Sequence, residues 1–140
     1  MTDPLSATLI WKGSLRFEAT VTSGHSFLLD SPARPGHLGP SPIEVMLAGI
    51  AGCTAMDVVA ILEKMREPAA ALTVEIRAER APSNPKRFTA IDFTYRLVGR
   101  GLTREKVERA VELSHSTYCS ALASLRPECP VTSTIEISEP

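Results

Sequence analysis

At 140 residues, 44% of them hydrophobic and 22% charged, the chain has the length of one domain and too much apolar content for a disordered one. Fifteen basic against sixteen acidic residues leave a formal charge of −1, with no cationic surplus to displace phosphate counterions. Seven aromatic residues make no base-stacking platform either, which argues against a nucleic-acid partner.

Targeting signals are not evident. The early apolar run Ala7–Trp11 is short and interrupted by Thr8, and no run is read as reaching the roughly 18 apolar residues of a bilayer span. A cytoplasmic chain without a membrane partner is expected. Its three cysteines, Cys53, Cys119 and Cys129, then form no disulfide scaffold. They lack CxxC spacing, so no structural metal site is expected from spacing.

The opening third predicts short strands around Ala7–Trp11, Arg16–Val21 and Ser26–Leu29, parted by the turn signals Lys12-Gly13 and Ser23-Gly24. Phe17, Ala19 and Val21 alternate with Glu18 and Thr20, the period of a half-buried strand. A loop follows from Asp30 to Pro40, with three prolines and two glycines in eleven residues. Ser41-Pro42-Ile43-Glu44 then announces a helix: Ser41 suits the N-cap, Pro42 the first turn, and Glu44 completes a capping box. The helix is expected to run to Met65 or Arg66. Between Glu44 and Asp57 stand twelve uncharged residues, so it is apolar on nearly all sides and should be buried on nearly all sides. A chain this small covers such a helix most simply with a second subunit, and an intimate homodimer is expected.

Two strands with clean alternation come next, Leu72–Glu79 and Ile91–Leu97, joined through Pro82-Ser83-Asn84-Pro85. A second helix is predicted from the N-cap Thr103 to just before Pro127, and a last strand over Val131–Ile137. The order β-β-β-α-β-β-α-β is that of an α+β fold with helices covering one sheet face.

Cys53, inside the apolar helix, is either a small core hydrophobe or a reactive thiol. On a continuous second helix Cys119 falls about 120° from the apolar stripe, on a flank with Glu108, Glu112 and His115. That is an accessible place for a thiol, unless the helix breaks near Ser116–Ser120. His115 could pair with Cys119 there, or be solvated. Cys129 reads as a bystander, and His25 and His37 are too dispersed to hold a metal.

The run SPIEVMLAGIAGCTAMDVVAIL at 41–62 resembles the central helix of the OsmC/Ohr family, the osmotically inducible and organic-hydroperoxide-resistance proteins. LSHSTYCSALASL at 113–125 resembles that family's second cysteine helix, and SGHSFLLD and TSTIEI also fit its OsmC-like branch. The resemblance runs the length of the chain. It implies a single OsmC-like domain over residues 1–140, with antiparallel sheets wrapped around two central helices in an intertwined homodimer. It further implies a cofactor-free thiol peroxidase in which Cys53 attacks an organic hydroperoxide, Cys119 resolves the product and an external dithiol restores both. Glu44 and Arg16 stand where the family's supporting glutamate and arginine are sought, with Arg34 a second candidate. Nine helical residues separate Glu44 from Cys53 and turn it to the opposite face, and the capping box accounts for Glu44 without catalysis.

Overall fold

In the computed structural model, which describes residues 3–140, the β-branched and aromatic runs form six strands. The chain divides into two compact units, one up to Met46 and one from Leu47 to Pro140.

In the first unit, β1 (Ala7–Trp11), β2 (Phe17–Val21) and β3 (Ser26–Leu29) form an antiparallel meander in that order. Gly24, at φ +87°, makes the reversal into β3 that a residue with a Cβ adopts only with strain. Ala19, at the centre of β2, is buried. The proline- and glycine-rich loop after β3 is organised by one carboxylate. Asp30, 2% exposed, accepts from Arg16 Nε at 2.9 Å, from the Leu38 N–H at 2.9 Å and from the Ser31 N–H at 2.8 Å. Arg16 also donates to the Gly36 carbonyl at 3.2 Å. The Leu38 N–H, followed by the Arg16 guanidinium, holds the Asp30 carboxyl down at about 2.

The helix α1 (Pro42–Lys64) begins with the expected capping box. Glu44 Oε1 accepts from the Ser41 N–H at 3.0 Å and from Ser41 Oγ at 2.7 Å, while the Glu44 N–H donates back to Ser41 Oγ at 3.3 Å. One expectation about this helix needs correction. Its apolar content does reach the level of a bilayer span, with a mean hydropathy of 2.1 over 18 residues, because its alanines add to the Ile, Val, Leu and Met side chains and outweigh the Gly and Thr positions. Within one chain it buries a single stripe, Ile50, Thr54, Val58 and Leu62, at spacing four.

That stripe builds the core of the second unit. There β4 (Ala71–Arg80), β5 (Phe88–Val98) and β6 (Val131–Ser138) form a sheet with β5 in the middle. β4 pairs antiparallel with β5, but β6 runs parallel to it, because the chain returns to the sheet through a helical crossover rather than a tight turn. Ile91, Phe93, Tyr95 and Leu97 of β5 pack in one cluster with Ile50, Val58 and Leu62 and with Val107, Ala110 and Val111 of the next helix. That helix, α2 (Arg104–Leu113), is capped by Thr103, whose hydroxyl accepts from the Lys106 N–H at 3.4 Å.

The second helix does not continue to Pro127 as expected. After α2 the backbone widens into a π turn over Ser114–Tyr118, breaks at Cys119, and resumes as a single helical turn, α3 (Ser120–Ala123). The cause is local. Ser114-His115-Ser116-Thr117 supplies hydroxyls that compete for backbone partners, and Ser116 Oγ donates back to the Glu112 carbonyl at 2.8 Å.

Candidate active site

The break in the second helix assembles the site. The Cys119 N–H reaches five residues back to the Ser114 carbonyl at 2.8 Å, closing the π turn. Cys119 itself then turns extended, at φ −74° and ψ 101°, and caps α3, its Sγ accepting from the Leu122 N–H at 3.4 Å. The added width and the bend rotate its side chain inward. Cys119 is consequently 4% exposed, where a continuous helix would have left it on an accessible flank.

On α1, Cys53 and Asp57 stand one turn apart on one face, beside the buried Thr54. Cys53 Sγ, a carboxylate oxygen of Asp57 and Cys119 Sγ all lie within 4.8 Å of one another. Ser114 Oγ, wholly buried, donates to Asp57 Oδ2 at 2.8 Å and so ties the π turn to α1. Behind the sulfurs, Tyr95 Oη and His115 Nε2 are 2.7 Å apart, and Phe93 stacks on the Tyr95 ring at 5.6 Å between centroids.

The electrostatics favour neutral groups around the pair. Burial raises the Tyr95 hydroxyl to about 12, and the nearby Cys119 and Asp57 add to the rise while the Thr54 hydroxyl opposes it. Burial also lowers the His115 imidazole, which is therefore uncharged at neutral pH. The Cys119 thiol is pushed up chiefly by burial and further by the adjacent Cys53 sulfur, against the pull of the Leu122 N–H. Two neighbouring sulfurs do not both ionise cheaply.

The structure brings Cys53 and Cys119 together. Glu44 and Arg16 belong to the first unit and have partners there: the Glu44 carboxylate serves Ser41, which also lowers its pKa, and the Arg16 guanidinium serves Asp30 and the loop. His115 pairs with Tyr95, where a solvated ring or a Cys119 partner was expected. Sequence reasoning missed Asp57, Ser114 and Tyr95. Asp57 had a visible signal, since it is the first charge after twelve uncharged residues and sits four places after Cys53.

Residues 35–134 match the family described as OsmC-like protein. The chain belongs to this family. Among its OsmC-like relatives, the protein YhfA of Escherichia coli K12 is 35% identical over 133 residues, covering 95% of this chain and 98% of YhfA. A hypothetical protein from Aquifex aeolicus has the same fold, with a TM-score of 0.88 at 24% identity and 99% of each chain covered. An organic hydroperoxide resistance protein OsmC from Legionella pneumophila shares the fold at a TM-score of 0.68 and 17% identity, over 97% of each chain.

Proposed function

We propose that this OsmC-like chain is a thiol-dependent peroxidase that reduces organic hydroperoxides to alcohols. The observation that carries the reading is the approach of Cys53 and Cys119, 66 residues apart in sequence, to within 4.8 Å of each other. The Cys53 thiolate attacks the terminal peroxide oxygen; the O–O bond breaks, the alkoxide takes a proton and leaves as alcohol, and Cys53 becomes a sulfenic acid. Cys119 then condenses with it, forming the disulfide and releasing water. An external dithiol reduces that disulfide by exchange and is itself oxidised. Burial raises the Cys119 thiol, which suits the resolving rather than the attacking role. The reaction as proposed uses no cofactor.

The working form in this proposal is a cytoplasmic homodimer of a single OsmC-like domain. An open apolar groove of about 520 Å³, between α1 and β4, supports it. Met56 on its rim is 75% exposed, and a Cβ added at Gly52 would meet nothing within 4 Å, as expected of a face that another helix approaches closely.

A second reading keeps the fold without turnover, as a ligand-binding dimer or a redox sensor. The carboxylate of Asp57 beside the sulfurs favours it, because a negative neighbour opposes a thiolate. Addition of one equivalent of cumene hydroperoxide to reduced protein separates the readings. Rapid loss of two thiols with a Cys53–Cys119 link, followed by multiple turnovers with a dithiol, is the peroxidase result. The same link without turnover is a sensor, and reaction no faster than free cysteine leaves the ligand-binding dimer.

A further inference from the structure

The same cluster has the donor set of a metal site. We propose that reduced Cys53, Asp57 and Cys119 bind one thiophilic divalent cation of the zinc class. In a tetrahedral zinc site, Zn–S bonds of about 2.3 Å and Zn–O bonds of about 2.1 Å put ligand atoms roughly 3.5–3.8 Å apart. The three donor atoms here already lie within 4.8 Å of one another, so side-chain adjustment of about 1 Å closes the set. Two sulfurs and one carboxylate select a thiophilic ion over magnesium or calcium, whose sites are built from oxygens.

The surroundings fit such a role. Ser114 Oγ holds Asp57 Oδ2 at 2.8 Å, fixing the carboxylate as the outer partner of a metal ligand does. The Leu122 N–H at 3.4 Å from Cys119 Sγ donates toward a bound thiolate. The hydroxyls beside the cluster, on Thr54 and Ser114, bring no positive charge to two sulfurs and a carboxylate, and a cation supplies it. Three protein ligands leave a fourth position for water. Binding converts two thiols to thiolates, forms two metal–sulfur bonds and one metal–oxygen bond, and releases two protons to solvent. Disulfide formation consumes both sulfur ligands, so ion binding and oxidation exclude one another. The ion therefore shields the thiols from peroxide, and oxidation releases it.

Titration of the reduced, full-length protein with Co²⁺, and with Zn²⁺ against a chromophoric chelator, tests this without reference to peroxidase activity. One ion per chain is expected, with a Zn²⁺ Kd below about 1 µM. A near-ultraviolet sulfur-to-cobalt charge-transfer band and protection of two thiols from an aromatic disulfide reagent should accompany it. Asp57→Asn should weaken binding at least about tenfold and Cys53→Ser about a hundredfold, while Cys129→Ser leaves it unchanged. The absence of a sulfur-to-cobalt band in the wild-type protein overturns the proposal, and that measurement needs no variant to fold. Binding unaltered in Asp57→Asn or Cys53→Ser also overturns it, by placing the ion elsewhere. A protein that binds zinc without reducing peroxide refutes only the peroxidase reading; the converse refutes only this one.

Discussion

Asp30 and Asp57 set the two units of the chain against each other. Asp30 is buried against donors that cannot change state: a guanidinium and the backbone N–H groups of Ser31 and Leu38. Its carboxylate has one stable arrangement, and it anchors a loop. Asp57 instead accepts one hydroxyl and faces two sulfurs, each able to lose a proton, bond to the other or bind a metal. A carboxylate among fixed donors stabilises structure. One among titratable, redox-active groups belongs to a site whose state can change.

The largest effect that would sharpen this contrast lies at the sulfurs. Cys119→Ser should consume one equivalent of hydroperoxide and then stall as a sulfenic or sulfinic acid, read by intact mass. Normal turnover by this variant would remove Cys119 from the resolving role. Next comes the exposed face of α1. Gly52→Leu has open space in the single chain, and replacing a helical glycine should stabilise that chain by up to about 1 kcal/mol. A dimer packed on the groove should lose its association, seen by sedimentation, while an unchanged mass would discard this interface.

Smaller changes probe the supports. Tyr95→Phe removes the hydroxyl partner of a half-buried His115 and should cost about 1 kcal/mol, measured as a lower urea midpoint at constant m. His115 resists protonation in the fold, so as pH falls below 6.5 the unfolded chain takes up the proton first and stability declines. His115→Gln should flatten that decline. Asp30 contributes in the other acidic window. Its folded pKa of about 2 lies below the ordinary 3.8, so its contribution is full above 3.8 and is lost as pH falls toward 2. In Asp30→Asn the acid-unfolding slope over that window should shrink. An unchanged slope would mean that the loop is anchored by something else.

Much of the architecture was legible from local pattern. Strand alternation over Phe17–Val21 and Ile91–Leu97, and the Ser41–Glu44 box, depend on neighbours two to four residues away, and each forms as expected. The parallel placement of β6 was not legible, because strand direction depends on the whole crossover. Nor was the orientation of Cys119. The hydroxyl run that breaks its helix is visible in sequence, yet which way the chain turns afterwards depends on Ser114 reaching Asp57 across 57 residues.

The sequence by itself determined the order of elements, the family and the identity of two chemically able thiols, since these follow from residue type and short-range periodicity. Only the tertiary structure decided that those thiols stand beside Asp57 and that Arg16 spends its charge on Asp30. The reason is that a side chain's ionisation and reach are set by whatever packs against it, and those neighbours come from distant parts of the chain.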